Sequence, residues 1–380
     1  MDDGRIRLSD NCSLPLNRSA WDFPDFGNPC PMSAVLTSFL VASYCAAMVF
    51  GLLGNICLIC VIAKQKGKSN ITNMFIANLS FADIMICVFC LPFTIVYTLM
   101  DYWIFGEALC KMIPFVQCLS VTVSILSLVM IALERHQLII NPTGWKPNVT
   151  QAYLSILTIW MLACFISLPF VIFHVLTSEP LMDLPAPVAA LASEVICMES
   201  WPTRQQKLIY MTWLFAFQYC APLVFIAVCY GRIYMRIRTR KDLMDKGVED
   251  KSRLTKGRRI TMILGLLILG FGLCWLPLNV FNLIADWDLE AMMHCDHNLI
   301  FSLCHLAGMA STCINPIIYG FLNNNFKKEL WAIVVHCDWS RQEDCEHFPL
   351  STMNTELSKT SLRLSCRNTS QFNRQKHAAQ

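Results

Sequence analysis

Charged side chains are rare in the apolar parts of this sequence, and three of them are placed where they could do chemistry. Glu134 and Arg135 end an apolar run in which no other residue after Lys111 ionises, and Asp83 is the only carboxylate of a second run. Charges at such places are costly, so each is a functional hypothesis. We interpret Glu134 and Arg135 as a two-state electrostatic latch. The alternative is an interfacial anchor, in which Arg135 extends to lipid phosphate.

A carboxylate within an apolar run, such as Asp83, needs polar partners or an ion. Ser124, Ser311 and Asn315 lie in other apolar runs, and their oxygens suit a hard cation such as Na⁺. We expect these four residues to form a sodium site, with a structural water network as the alternative. The sequence shows no metal-ligand cluster, phosphate-binding glycine loop or nucleophile elbow, so neither another cofactor nor an enzyme is expected.

Seven apolar stretches carry these residues, and each has about the length that a helix needs to cross a bilayer. The chain of 380 residues is 55% hydrophobic and 15% charged, whereas about a quarter of a soluble protein is charged. This composition predicts an all-α membrane protein built as a seven-helix bundle. The predicted helices 1 to 7 are 34–63, 72–99, 108–139, 151–173, 207–236, 260–284 and 297–320.

Positive charge assigns the two sides of the membrane. Residues 232–259, from the end of helix 5 to the start of helix 6, hold eleven Lys and Arg against four acids, and basic residues also follow helices 1 and 3. These loops are predicted to be cytoplasmic, with the N-terminus outside. The opposite loops are acidic and include Glu199 and Asp286, which favours a basic ligand through steering and pairing. Ordinary solvated loop charge is the alternative.

The segments outside the bundle of residues 34–320 have their own signatures. Residues 1–33 are predicted to be extracellular and glycosylated at Asn11 and Asn17, the two sequons that the topology places outside. Residues 321–337 read as an amphipathic helix on the inner leaflet, and Cys337 at its end is a palmitoylation candidate. Residues 338–380 are polar and rich in Ser and Thr, which predicts a disordered, phosphorylatable tail.

Cysteines on the predicted outer side indicate a disulfide. Cys110, at the start of helix 3, and Cys197, after helix 4, both face the oxidising compartment, so we expect them to pair. A bridge between Cys30 and Cys295 is also open and would leave Cys12 unpaired. The sequence does not fix that connectivity.

Helix 6 carries a proline that removes a backbone hydrogen bond and kinks the helix. This residue is Pro277, and Trp275 lies two residues before it, one turn from Phe271. We interpret Trp275 as a bulky pivot at the kink. The alternative is that both aromatic residues only fill the core.

Short motifs appear in order along the seven helices: Gly54-Asn55, 79–83, 134–136, Trp160, Pro222 with Tyr230, 274–277 and 315–319. Together they resemble rhodopsin-like G-protein-coupled receptors over about residues 34–337. His136 stands where that family commonly has Tyr, while the acid and the arginine are kept. The resemblance implies a plasma-membrane receptor with an activation switch that comprises Glu134, Arg135, Tyr230, Phe271, Trp275, Pro277, Asn315, Pro316 and Tyr319.

Longer strings resemble the neuropeptide Y family of receptors, namely 96–101, 103–107, 132–142 with Gly144 and Trp145, and 319–323. Residues 197–202 and 347–364 are most similar to its type 4, pancreatic-polypeptide-preferring branch, whereas 244–246 is nearer type 1. The implied ligand is an amidated peptide of the pancreatic polypeptide, neuropeptide Y and peptide YY kind. The implied binding residues are Asp286 for a ligand arginine, Gln117, Asn282 and His305 for the amide end, and Tyr97, Phe281 and Trp287 as aromatic walls.

The resemblance also implies partners inside the cell. These are a heterotrimeric Gi/Go protein, which lowers cyclic AMP, arrestin on the phosphorylated tail, and the surrounding lipids. No nucleic-acid partner is expected. The alternatives are a receptor for another basic or amidated peptide and, more distantly, a membrane transporter. Against a transporter, the sequence shows no internal repeat and only one deep acid.

Overall fold

The computed structural model describes residues 32–64, 70–100, 102–141, 144, 147–177, 195–243, 248–288 and 297–322, but not the side chains at 240–258, 260 and 320–322. Several predicted features lie outside the described residues and stay predictions. They are the glycosylation sites Asn11 and Asn17, the cysteines Cys12, Cys30, Cys295 and Cys337, the amphipathic helix beyond residue 322, and the tail.

Among the described residues, seven helices are long and apolar enough to cross a membrane, which confirms the predicted fold class. We call them spans 1 to 7: Ala34–Lys64, Ile71–Met100, Gly106–Ile140, Val149–Phe173, Arg204–Thr239, Thr261–Trp287 and His297–Tyr319. Their ends agree with the predicted boundaries to within three residues. Spans 6 and 7 belong to the longer helices Val248–Trp287 and His297–Leu322.

Polar side chains cap the starts of three spans. Asn148 accepts a hydrogen bond from the Gln151 amide at 2.7 Å and donates its own amide to the Gln151 side chain, which makes a capping box. Asn70 caps span 2, and Thr203 caps span 5. Asn70 and Asn148 are both sequon residues, so in this fold two sequons serve as helix caps.

Two spans are interrupted next to a proline. Span 2 consists of the helices Ile71–Phe89 and Leu91–Met100, which meet at Cys90, two residues before Pro92. Span 5 begins with the helix Arg204–Trp213, continues through a π-helical stretch, Leu214–Cys220, that ends two residues before Pro222, and finishes within the helix Ala221–Leu243. Proline has no amide hydrogen, so the carbonyl one turn earlier must find another arrangement. The π-helical stretch was not predicted from the sequence.

Glycines bring span 1 close against span 7. A Cβ atom at Gly54 would lie 2.6 Å from the ring of Pro316, and one at Gly51 would lie 2.6 Å from the Thr312 hydroxyl. Asn55 bridges the same seam, because its amide group donates to the carbonyls of Gly51 and Thr312, both at 2.8 Å. Small residues and shared polar contacts of this kind are what hold helices together within lipid.

A short hairpin and a disulfide cover one end of the bundle. Strand β1, His174–Thr177, pairs antiparallel with β2, Ile196–Glu199, and places His174 opposite Glu199. Cys197 of β2 is bonded to Cys110 of span 3, which confirms the predicted disulfide. We call this end of the bundle the outer end and the opposite one the inner end.

Candidate ligand cavity and switch residues

A cavity of about 430 Å³ lies between spans 3, 5, 6 and 7 and reaches the hairpin at the outer end. This volume is within the usual range of ligand pockets, about 300–1,000 Å³. Apolar and aromatic side chains make up much of its wall, among them Ile113, Phe170, Leu214 and Trp275. Five of the seven predicted binding residues line it: Gln117, Phe281, Asn282, Asp286 and His305.

The other two predicted binding residues, Tyr97 and Trp287, do not line this cavity. The Tyr97 ring packs against Trp103, with centroids 6.2 Å apart. Trp287 is 61% exposed, and its indole nitrogen donates to the Thr212 hydroxyl at 3.3 Å. Both residues lie near the ends of spans at the outer end, so a role as ligand contacts stays a prediction.

One end of the cavity is polar and connects three spans. His305 lies between Gln117 of span 3, at 3.5 Å from Nε2 to Oε1, and Tyr44 of span 1, at 3.1 Å from Nδ1 to the hydroxyl. The Tyr44 hydroxyl also donates to the Ser302 carbonyl at 2.9 Å, and it has only one hydrogen to give. Oε1 of Gln117 can only accept, so Nε2 of His305 donates to it, and the single Tyr44 hydrogen lies between the Ser302 carbonyl and Nδ1 of His305. Sequence reasoning missed Tyr44, whose only signal was a tyrosine inside an apolar helix.

Three charged residues meet where the cavity reaches the outer end, and we call Glu199, Lys207 and Asp286 the outer cluster. The Lys207 ammonium lies 3.0 Å from an Asp286 carboxylate oxygen and 3.2 Å from a Glu199 carboxylate oxygen. Asp286, which was predicted to await a ligand cation, is thus already paired within the protein. This contact was not predicted from the sequence, because nothing distinguished Lys207 except its position as the first residue of predicted helix 5.

Neighbouring groups fix the two ends of the outer cluster. The Trp201 indole donates to Glu199 at 3.0 Å, and Arg204 donates to the carbonyls of Trp287, at 3.1 Å, and Asp286. Arg204 therefore caps the C-terminal end of span 6, where a cation also interacts favourably with the negative end of the helix dipole. Burial lowers the pKa of His174, although nearby Glu199 acts the other way. A neutral His174 leaves Lys207 as the main cationic partner of Glu199.

A second polar group closes the inner end, and we call Thr72, Glu134 and Arg135 the inner cluster. The Thr72 hydroxyl donates to Glu134 and accepts from the Arg135 guanidinium, and Arg135 Nε lies 4.0 Å from Glu134. Glu134 is 7% exposed, so the pair is sheltered from water. Arg135 contacts protein groups here, which favours the latch over the lipid anchor. Sequence reasoning missed Thr72.

Between the two clusters lies a buried polar core. The Asn315 amide donates to Asp83 at 2.6 Å, and the Trp275 indole donates to the Ser311 hydroxyl at 3.0 Å. Among the described residues, the buried hydroxyls of Ser80, Ser120 and Ser124 have no hydrogen-bond partner. This part of the bundle therefore has spare oxygens around one carboxylate.

The remaining residues of the predicted activation switch surround this core. Phe271 and Trp275 lie with ring centroids 6.2 Å apart in span 6, and Pro277 lies within the same helix. Tyr230 and Tyr319 pack into a hydrophobic cluster that lies towards the inner end of the bundle. Pro316 contacts span 1 at Gly54. The residues of the predicted switch thus lie along the bundle from the cavity to the inner cluster.

The comparisons with known proteins agree with this architecture. A family model described as "7 transmembrane receptor (rhodopsin family)" matches residues 54–319. The human neuropeptide Y receptor type 4-2 is 52% identical over 344 residues, which cover 90% of this chain and 92% of that protein. The chain belongs to the neuropeptide Y receptors of the rhodopsin family. It is therefore a plasma-membrane receptor rather than an enzyme.

Relatives of more than one receptor type match the chain over nearly its whole length. The mouse neuropeptide Y receptor type 4 is 52% identical over 347 residues, covering 90% of this chain and 91% of the mouse protein. The Xenopus laevis neuropeptide Y receptor type 1 is 46% identical over 355 residues, covering 93% of this chain and 96% of the relative. The identity to these type 4 receptors is thus higher than to this type 1 receptor.

Proposed function

We propose that this receptor binds an amidated peptide of the pancreatic polypeptide, neuropeptide Y and peptide YY kind. We further propose that it prefers pancreatic polypeptide and lowers cyclic AMP through Gi/Go. The names of the relatives support a neuropeptide-type ligand, and the higher identity to type 4 receptors supports the preference. The observation that carries the proposal is that one cavity holds Asp286 and the polar group of Gln117 and His305.

The two polar parts of the cavity suit the two features of such a ligand. A guanidinium near the peptide's end finds the Asp286 carboxylate, which it can contact with two parallel hydrogen bonds. An amide end needs acceptors for its N–H groups and donors for its oxygen. Gln117 offers both, because its side-chain nitrogen carries two N–H donors and its carbonyl oxygen, which faces His305, has a second lone pair. Asn282 adds a second amide to the same wall.

Binding acts on signalling only through a difference in affinity between two receptor states. In the proposed mechanism, the peptide's amide end favours a packing in which span 6 turns about Trp275 and Pro277. Trp275 lines the cavity and donates to Ser311, so a shift of its ring reaches the buried polar core. The inner cluster then opens, and Arg135 contacts the G protein together with the basic residues of 232–259, between the inner ends of spans 5 and 6.

A sodium ion fits the buried polar core. Asp83 offers the negative charge, Asn315 and Ser311 offer oxygens, and the Ser124 hydroxyl is buried without a partner among the described residues. Such a set of oxygen ligands suits a hard cation. When bound, Na⁺ would neutralise the charge of Asp83 in the apolar interior. We propose sodium as an allosteric ligand held by these four residues.

The first test is a signalling assay on the full-length receptor in cells that lack receptors of this family. Forskolin-raised cyclic AMP is measured against pancreatic polypeptide, peptide YY and neuropeptide Y, with and without pertussis toxin. We expect a toxin-sensitive fall in cyclic AMP, with pancreatic polypeptide the most potent. The variant Asp286→Asn should lower that potency by about tenfold or more, because it removes the charge that pairs with the ligand.

The matched control is Asp288→Asn, which removes the same charge two residues further along and outside the cavity lining. We expect it to shift potency by about threefold at most, as for an exposed charge. A receptor that reaches the cell surface and responds to none of the three peptides would contradict the proposed ligand. A response that survives the toxin would contradict Gi/Go coupling.

A further inference from the structure

The outer cluster has two carboxylates and one ammonium, and the nearby Arg204 guanidinium donates to the backbone carbonyls of span 6. Glu199 and Asp286 contribute two negative charges, whereas Lys207 contributes one positive charge. Their side chains are partly buried, with exposures of 22%, 9% and 33% for Glu199, Asp286 and Lys207. A partly buried carboxylate that must share its cation keeps an attraction for a further positive charge. The cluster therefore attracts one more cation and would repel a further anion.

The two carboxylates differ in how firmly they are held. Glu199 sits in β2, two residues after the disulfide-bonded Cys197 and opposite His174 in the hairpin, and it also accepts from the Trp201 indole. Asp286 lies in the last turn of span 6, the helix that the proposed mechanism moves. Lys207 thus connects Glu199, which the hairpin holds in place, to Asp286 at the end of span 6, the helix that moves in the proposed mechanism.

A guanidinium and an ammonium do not compete equally for a carboxylate. Arginine presents a planar fork that matches both carboxylate oxygens, whereas lysine is a strongly hydrated point charge. A ligand arginine can therefore take Asp286 from Lys207, provided that the displaced ammonium keeps a partner. Glu199, at 3.2 Å, is such a partner and needs no movement of the backbone.

We propose that Lys207 is a built-in counter-ion which the ligand's arginine must displace from Asp286, and that Glu199 retains the displaced ammonium. Lys207 then sets the affinity of the receptor for cationic ligands without contacting the ligand. This inference rests on the proposed pairing between a ligand arginine and Asp286. It also assigns different roles to the two acids of the cluster. Asp286 binds the ligand, whereas Glu199 holds the Lys207 ammonium away from Asp286.

The test measures competition binding of pancreatic polypeptide to membranes that contain the full-length receptor. Lys207→Met removes the competing charge and keeps a long side chain, so affinity should rise by about three- to tenfold. Glu199→Gln leaves Lys207 with Asp286 as its sole carboxylate partner in the cluster, so affinity should fall by a similar factor. The double variant should bind at least as tightly as the wild type, because no competitor for Asp286 remains.

Lys111→Met is the matched control. Lys111 lies at the same end of the bundle and pairs with Glu107, away from the cavity lining. This variant changes the net charge by the same amount as Lys207→Met, and we expect an affinity change of about twofold at most. The number of binding sites and the surface abundance of every variant are measured alongside. Lys207→Gln provides a second neutral variant should the first fail to reach the surface.

Each outcome decides the proposal. Affinity that is unchanged or lower in both Lys207 variants would overturn it. A loss in Glu199→Gln that Lys207→Met does not rescue would mean that Glu199 binds the peptide itself. Asp286→Asn separates this proposal from the proposed function. If that variant binds as the wild type does, the arginine pairing itself is wrong, whereas weaker binding without a gain in Lys207→Met overturns only the role of Lys207.

Discussion

The outer and inner clusters contain similar charged groups, but they differ in the balance of negative and positive charge. In the outer cluster one ammonium serves two carboxylates, so a further cation is favoured. In the inner cluster one guanidinium faces one carboxylate, and the Thr72 hydroxyl connects them, so no charge is left over. An unbalanced cluster is suited to receive a charged ligand. A balanced one is suited to stay closed until a helix moves.

The two clusters also differ in how much water reaches them. In the outer cluster the side chains of Asp286, Glu199 and Lys207 are 9%, 22% and 33% exposed, whereas in the inner cluster Glu134 and Arg135 are 7% and 15% exposed. Exchange of one ion-pair partner for another costs little near water, because solvent screens both states. Separation of a buried pair costs far more, on the order of several kcal/mol. We therefore expect changes in the outer cluster to tune binding and changes in the inner cluster to alter activation.

The largest expected effect is the loss of signalling in Arg135→Ala. The variant should bind pancreatic polypeptide as the wild type does, because Arg135 is at the opposite end of the bundle from the ligand. Peptide-stimulated nucleotide exchange on Gi should fall by well over tenfold, since the group proposed to contact the G protein is gone. Membrane binding and exchange are measured on the same preparation. Signalling at the wild-type level would show that the inner cluster is not a switch.

Thr72→Val tests whether the hydroxyl holds the inner cluster closed. Valine has nearly the same shape but neither donates to Glu134 nor accepts from Arg135, and unmet buried polar groups cost about 1–3 kcal/mol. We expect basal nucleotide exchange without peptide to rise by about three- to tenfold, with peptide affinity changed little. Thr72→Ser keeps the hydroxyl and should resemble the wild type. Equal basal activity in both variants would remove Thr72 from the switch.

Asp83→Asn tests the polar core between the clusters. In the wild type, replacing choline by sodium in the buffer should lower peptide affinity by a few-fold, because the ion stabilises the resting packing. The variant lacks the negative charge that holds the ion, so its peptide affinity should be the same in both buffers. Sodium sensitivity that persists in the variant would favour the structural water network over an ion site.

The smallest expected effect comes from Trp201→Phe. Phenylalanine keeps a ring beside Phe173 and Tyr210 but cannot donate to Glu199. A less firmly held Glu199 should retain Lys207 less well, and peptide affinity should fall by about twofold, as for loss of one partly exposed hydrogen bond. The loss should vanish in the Lys207→Met background, since there is then no ammonium to retain. Competition binding on the four receptors measures this.

The comparison of the outer and inner clusters also shows which features could be predicted from the sequence. Glu134 and Arg135 are adjacent in the chain, and Asp83 is alone in an apolar run, so each was visible without a structure. The seven spans and the Cys110–Cys197 disulfide also followed from length, apolar content and topology. These features are local, or they depend on which side of the membrane a residue occupies.

What the sequence did not show are contacts between distant elements. Lys207 meets Asp286 across 79 residues of chain, and Thr72 meets Arg135 across 63, and no periodicity signals either contact. Tyr44 supports His305 across 261 residues in the same way. The family resemblance implied Trp287 as an aromatic wall of the ligand site, yet consecutive helical residues point in different directions, and Trp287 does not line the cavity that Asp286 lines. The π-helical stretch in span 5 has no sequence signal beyond the proline that follows it.

The central claim, that a ligand arginine pairs with Asp286, is tested most directly by a double-mutant cycle. Pancreatic polypeptide and analogues with each C-terminal arginine replaced in turn by citrulline are measured in competition binding on the wild type and on Asp286→Asn. We predict that for one arginine either change alone weakens binding by about tenfold or more, and that both together weaken it little further. Losses that multiply for every arginine would contradict the pairing.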